Sequence, residues 1–237
     1  MSKTGTLYLI PSSLGAGDAT RVLPSSVLSI LMRLVRFIAE NPRTARAFLK
    51  AAGYARPLQD VEFKVLNEHT RTAELGALIQ PLLDGEDCGL LSEAGCPAVA
   101  DPGAALVRLA HGHDIRVVPL VGPSSILLAL MASGLDGQRF VFHGYLPVEA
   151  ARRRATLVAL ERDSSREQRT QIFIEAPYRN QQLLQAILDT CHGDTLLCLA
   201  THLTLDTESV QTRTIAAWKE RAPPSINRRP TVFLLYR

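Results

Sequence analysis

Three stretches of this chain combine glycine, proline and small hydroxyl residues, a mixture that lets main chain come close to a bound molecule. The first is Leu14-Gly15-Ala16-Gly17-Asp18-Ala19-Thr20, the second runs from Leu91 through Ser92, Glu93, Gly95, Val99 and Asp101 to Gly103, and the third is Val118-Pro119-Leu120-Val121-Gly122-Pro123-Ser124-Ser125. Each follows a short apolar run that reads as a strand. The main-chain N–H groups that open a following helix attract an anion or a carboxylate. If their strands are parallel neighbours, the three loops converge on one cleft at the carboxyl ends of a sheet. Thr20 stands where a dinucleotide fingerprint needs its third glycine, and no Gly-Lys-Ser/Thr occurs, so neither common phosphate loop is complete. Within the second stretch Glu93 reads either as facing a ligand or as a solvated loop acid. Asp101 before Pro102 reads as a helix N-cap followed by the residue preset for a first turn.

Two further sets of residues carry possible chemistry. Glu40 and Arg43 flank a strand-to-helix turn, where they serve either proton transfer and charge stabilisation or a structural ion pair. From residue 152 to 169 there are six arginines (152, 153, 154, 162, 166 and 169) against three acids (161, 163 and 167). Such a segment either contacts phosphates through Arg152, Arg153 and Arg154 or is a solvated helix with internal pairing. Arg46, Arg228 and Arg229 extend the first reading if they share its face. Aromatic residues make up 5% of the chain, too few to suggest stacking of unpaired bases. His69 and His143 lack a visible partner and read as structural.

The elements that must position these residues alternate in type. Strands are expected at 6–11, 34–40, 63–66, 88–92, 115–119, 140–145, 171–175, 196–201, 209–212 and 231–236. Helices are expected at 42–52, 70–83, 102–111, 124–133, 149–162, 180–191 and 215–221. Ten strands exceed one ordinary sheet. Before residue 121 the order is strand, helix, strand in the parallel style. After it the strands crowd together, as in α+β proteins. The expected organisation is therefore an N-terminal α/β domain over 1–121 and a C-terminal α+β domain over 122–237.

Composition narrows the class. With 46% hydrophobic and 21% charged residues the chain has enough apolar surface to fold, and its net charge of +3 excludes a histone-like polycation. Cysteines at 88, 96, 191 and 198 fit neither a metal ribbon nor a disulfide scaffold, so they read as core thiols in a reducing cytoplasm, with no metal. The N-terminal residues show no signal-peptide pattern, and the apolar run 126–132 falls well short of the about 20 residues a bilayer needs. No membrane role is expected.

The three loops, followed by Gly144-Tyr145-Leu146-Pro147 and by Phe173-Ile174-Glu175-Ala176-Pro177-Tyr178-Arg179, resemble the tetrapyrrole methylase superfamily of S-adenosylmethionine-dependent methyltransferases. Within it the chain is similar to the ribosomal RNA small subunit methyltransferase I branch, which methylates a cytidine ribose 2′-hydroxyl of 16S rRNA. The likeness spans about residues 5 to 236. It is most specific over 89–147, where serine-acid-Ala-Gly-x-Pro, Asp-Pro-Gly, Gly-Pro-Ser and Gly-x-Leu-Pro follow in the family's order. Ala39-Glu40-Asn41-Pro42-Arg43 and Arg228-Arg229-Pro230-Thr231 also match its segments, the former with Asn41 in place of aspartate. Glu93 replaces the usual aspartate, and Tyr178 replaces the histidine typical of the RNA enzymes.

The resemblance implies a two-domain fold, a cytoplasmic homodimer, and S-adenosylmethionine bound in a cleft between the domains. The implied cofactor contacts are Ile10 and Pro11, Ser92, Glu93, Gly95 and Val99, Ser124 and Ser125, Tyr145 and Leu146, and Ala176 and Pro177. Glu40 and Arg43 are the first candidates for activating a ribose hydroxyl, with RNA as the expected substrate. The alternatives are methylation of a small molecule such as a tetrapyrrole and a regulator that keeps the cofactor pocket without catalysis.

Overall fold

A computed structural model of the protein describes residues 4–15, 19–222 and 224–237. The chain divides into two compact units, the first ending at Ser124 and the second beginning at Ser125, three residues after the expected junction.

The N-terminal unit contains β1 (Thr6–Ile10), α1 (Ser25–Leu31), β2 (Arg36–Ala39), α2 (Pro42–Ala51), β3 (Glu62–Val65), α3 (Leu75–Leu83), β4 (Cys88–Leu91), α4 (Ala104–Gly112) and β5 (Arg116–Pro119). Its five strands pair in the order β3-β2-β4-β1-β5, every pair parallel. Strand β4 reads Cys-Gly-Leu-Leu and is buried at every position, as a parallel sheet covered on both faces requires. One face packs Ile10 and Phe37 with Leu31 and Leu49 from α1 and α2. The other packs Leu7, Ile38 and Leu90 with Leu78, Leu82 and Leu106 from α3 and α4.

The C-terminal unit contains α5 (Ser125–Ser133), β6 (Phe140–Tyr145), α6 (Ala150–Glu167), β7 (Thr170–Ile174), α7 (Asn180–Thr190), β8 (Leu196–Thr201), β9 (Ser209–Thr214), α8 (Ile215–Lys219) and β10 (Thr231–Tyr236). Its sheet order is β6-β7-β10-β8-β9, with β6 and β7 parallel and the other pairs antiparallel. Leu157, Leu183, Ile187 and Trp218 from α6, α7 and α8 cover Phe173 and Phe233, whose rings stack across neighbouring strands at 5.8 Å. Strand β6 carries a bulge. Phe142 pairs with Ile172 and Tyr145 with Ile174, so an extra residue enters near Gly144, whose φ is +65°.

All ten expected strands form, most within one residue of their expected ends. Three expectations need correction. The helix expected from residue 102 begins at Ala104 with Gly103 as its N-cap, so Asp101 does not cap it. Helix α1, absent from the expected helices, follows directly on Pro24, which sits just ahead of the first turn, where proline is tolerated. Helix α6 runs to Glu167, five residues beyond its expected end, and stops where Gln168 turns left-handed.

Candidate functional site

Because β4, β1 and β5 are adjacent and parallel, the loops that leave their carboxyl ends gather at one edge of the N-terminal sheet. They touch one another there. Ser12 and Gly95 exchange main-chain hydrogen bonds of 2.9 and 3.2 Å, and the Ser12 hydroxyl donates to the Ser92 carbonyl at 2.7 Å. Gly95 lies at φ +77°, where a side chain is strained. Gly122 brings the third loop against the end of β1 so closely that a Cβ there would lie 2.3 Å from the Pro11 Cβ. The Cys96 thiol meets the Pro123 carbonyl at 3.6 Å, which closes the contact between second and third loops. Of the first loop, residues 16–18 lie outside the described residues.

Three carboxylates share this edge. Glu40 follows β2 directly, and its carboxyl is raised above the ordinary range by burial and by the charges of Glu93 and Glu68. Asp101 is raised to about 6 by burial first and then by Glu40, with Ser92 acting in the opposite direction and a smaller push from Glu93. Glu93 is committed locally. Its Oε1 accepts from the Asn41 amide at 3.1 Å and from the Thr44 hydroxyl at 2.7 Å, tying the second loop to the start of α2. Asn41 caps that helix through the Arg43 amide at 2.9 Å. Among the described residues no ion pair joins Glu40 to Arg43, whose side chain is exposed. The same corner thus holds carboxyl groups that resist ionisation, the property a proton acceptor working near neutral pH needs.

The C-terminal unit has its own loop edge, where β6, β7 and β8 end and β10 begins. Tyr145 and Tyr178 are 60% and 67% exposed there, whereas Leu146 is buried. Glu175, with its side chain 1% exposed, holds Arg179 through bonds of 3.0 and 2.6 Å from Nε and Nη2 to the same Oε1. Asn180 Nδ2 donates to the Arg229 carbonyl at 2.6 Å, and the Arg228 amide donates to the Pro177 carbonyl at 2.8 Å. His143, left unpartnered in the sequence reading, pairs with Gln171 at 2.6 Å.

Comparison with known proteins now decides the class. The family of tetrapyrrole (corrin/porphyrin) methylases matches residues 17–218. This chain belongs to that family. A ribosomal RNA small subunit methyltransferase I of Pseudomonas aeruginosa is 35% identical over 212 residues, 90% of this chain and 71% of that protein. Its counterpart of the same name in Xylella fastidiosa is 34% identical over 99% of this chain and 82% of its own length. Among solved structures the methyltransferase CobJ superposes with a TM-score of 0.64 at 16% identity, covering 100% of this chain and 95% of that one. The cobalt precorrin-4 methyltransferase CbiF gives 0.59 at 14% identity, over 98% and 94%. These two share the methylase fold. The chain is an enzyme of methyl transfer.

Against this methylase frame the sequence-derived positions separate. Ile10, Pro11, Ser92, Gly95 and Leu146 are buried; Ser124, Ser125 and Ala176 are half-buried; Glu93, Val99, Tyr145 and Pro177 are exposed. The side chains of Ile10 and Leu146 are thus turned away from solvent. The arginine segment needs a correction. Arg152 and Arg154 are exposed, but Arg153 is 4% exposed and donates from Nη1 to the Val148 carbonyl at 2.9 Å, so it secures the β6–α6 loop and cannot reach a phosphate outside. Successive helix positions turn by about 100°, which forbids three in a row on one face. Farther along, Arg169 grips Asp163 at 2.8 and 2.7 Å and Arg166 pairs with Glu167 at 2.7 Å, which leaves no continuous stripe.

Sequence reasoning missed two features. Asp101 was assigned to a cap because Asp-Pro so often opens a helix, while its proximity to Glu40 depends on how β2 and β4 pair. Tyr178 and Arg179 were noted as part of a motif, but their exposure and bracing follow from the turn Pro177–Arg179, which carries no pattern of its own. No group of His, Cys, Asp and Glu among the described residues is arranged to hold a metal ion. No helix among them is long and apolar enough to cross a membrane.

Proposed function

We propose that this methyltransferase uses S-adenosylmethionine to methylate small-subunit ribosomal RNA, at the ribose 2′-oxygen of a cytidine in 16S rRNA. The observation that carries the RNA reading is the similarity, over 99% of the chain in one case, to relatives named as ribosomal RNA methyltransferases. The N-terminal loop edge fits the cofactor. Its backbone approaches closely at Gly95 and Gly122, its side chains are small, and its carboxylates suit a cationic sulfonium. The residues proposed to hold it are Ile10, Pro11, Ser92, Glu93, Gly95, Val99 and Ser124, with Ser125, Tyr145, Leu146, Ala176 and Pro177 of the C-terminal unit. When bound, the sulfonium supplies an activated methyl group, so the chain has to orient the acceptor, exclude water and take up a proton. Glu40 is the proposed proton acceptor, held ready by burial and by Glu93, with Arg43 positioned to balance charge on the acceptor oxygen. A cytoplasmic homodimer belongs to the same reading.

The test is transfer of a labelled methyl group into purified small ribosomal subunits, total RNA and porphyrin precursors. Label in the small subunit, lost on RNA digestion and mapped to one ribose, is expected. Label confined to porphyrin precursors would replace RNA with a tetrapyrrole, and cofactor binding without transfer to any pool would indicate a regulator.

A further inference from the structure

The C-terminal loop edge carries a feature that none of the roles above uses. Tyr178 is a large aromatic residue left 67% exposed, in a chain where aromatic side chains are few. The Arg179 guanidinium lies over its ring, 5.4 Å from the centroid, and is fixed there by the two bonds to Glu175. One face of the tyrosine therefore rests on a braced cation, while the residue as a whole stays open to solvent. Bracing of this kind restricts side-chain motion before any ligand arrives, which lowers the entropic cost of binding.

Beside this ring runs the 228–230 segment, whose main chain is pinned three times. The Arg228 amide donates to the Pro177 carbonyl at 2.8 Å, the Arg229 carbonyl accepts from Asn180 at 2.6 Å, and the Pro230 carbonyl accepts from the His202 amide at 3.0 Å. Arg228 is held at φ +58°, a conformation that non-glycine residues adopt at a cost and that concentrates at binding sites. Yet the side chains of Arg228 and Arg229 are exposed and, among the described residues, form no ion pair. Asn180 itself is buried, and among the described residues its Oδ1 has no partner.

A braced aromatic face next to two unpaired, backbone-fixed cations matches one kind of ligand. A nucleobase stacks on the ring and its phosphates meet the guanidinium groups, the combination by which proteins hold unpaired RNA. We propose that Tyr178, Arg228 and Arg229 form a site for one unpaired nucleotide of the RNA substrate, with Arg179 and Glu175 as its positioning residues. This rests on the RNA reading above and deepens it, because it assigns the grip on substrate to this edge and not to the arginines of α6.

Two measurements on the intact protein decide it. One is the KM for RNA and, separately, for S-adenosylmethionine during methyl transfer. The other is binding of a fluorescent single-stranded oligoribonucleotide, followed by anisotropy across a salt series. Tyr178→Ala is expected to raise the RNA KM and weaken oligonucleotide binding about ten-fold or more, while Tyr178→Trp retains both and the cofactor KM stays within two-fold. Arg228→Asn, chosen because asparagine tolerates the left-handed conformation, combined with Arg229→Ala, is expected to weaken binding and lower the salt slope by about two. Unchanged RNA KM and anisotropy in both variants, with melting temperatures like that of the parent, would overturn the site. Should the parent protein methylate porphyrin precursors and not RNA, the functional reading fails first, and anisotropy still reports whether Tyr178 holds a nucleotide.

Discussion

The loop edges of the two sheets are built from opposite materials. In the N-terminal unit the edge is lined by Pro11, Ser12, Ser92, Gly95 and Gly122, with Glu40, Glu93 and Asp101 close by. In the C-terminal unit it presents Tyr145, Tyr178, Arg228 and Arg229, with the acid Glu175 buried beneath and neutralised by Arg179. Both edges hold non-glycine residues in left-handed backbone, at Ala98 and Ala100 in the first and at His202, Thr204 and Arg228 in the second. Small residues and carboxylates favour a compact cation approached by main chain. Rings and guanidinium groups favour a flat base and a polyanion. The strand arrangement allows either chemistry at such an edge, and the loop residues choose between them.

Substitutions on the two sides break or sharpen this contrast. The largest effect is expected from Gly95→Val on the N-terminal edge. A β-branched residue at φ +77° would strain the backbone, crowd Leu14 and Pro123, and pull apart the Ser12 pairing. Calorimetry with S-adenosylhomocysteine should find cofactor affinity lost by at least about 100-fold; full affinity would remove the second loop from the cofactor site. Next is Glu40→Gln, expected to slow turnover about 100-fold with cofactor affinity within two-fold, as general-base removal does. Equal loss of kcat and affinity would instead make Glu40 a binding residue.

The helix α6 arginines should give smaller and divergent results. Arg153→Met removes a buried guanidinium whose Nε already lacks a partner, so its effect should appear as a lower melting temperature from the loosened β6–α6 loop. Reversing the charges of the exposed Arg152 and Arg154 should cost only a few-fold in RNA affinity, and a large drop would return that helix to the main RNA interface.

The smallest effect concerns Asp101. Its carboxyl titrates near 6 in the folded protein against an ordinary value of 3.8, so the folded state holds its proton more tightly than the unfolded chain does. Stability from this group is complete below 3.8 and is lost as pH rises through about 6. Asp101→Asn should therefore raise the unfolding free energy at pH 7, with the gain vanishing toward pH 4. A variant less stable at pH 7 would show that favourable interactions of the ionised carboxylate, such as that with Ser92, outweigh the cost of burying its charge.

How far the sequence carried these conclusions depended on the range of the interaction. Strands such as 196–201 and 231–236 were legible because buried strands demand unbroken apolar runs, and the joining of three loops followed from their placement after parallel strands. Asp101 was misread because local capping preference and tertiary placement competed, and placement prevailed once Gly103 took the cap. Arg153 was misjudged because a run of arginines reads as one charged surface until helical rotation buries the middle one. Tyr178, visible in the sequence only as part of a motif, does not read there as a binding ring for another reason. A 5% aromatic content averages over the chain, whereas binding depends on where two exposed rings stand.

The irregularity at Gly144 also bears on how such a protein can vary. Side chains alternate between the two faces of a strand, so one surplus residue between Phe142 and Tyr145 exchanges the sides taken by everything after it. The first half of β6 keeps its register with β7 while its last residue, Tyr145, is freed from that parity. A lineage could thus retune what this corner offers to a substrate by gaining or losing one amino acid, without repacking the interior below.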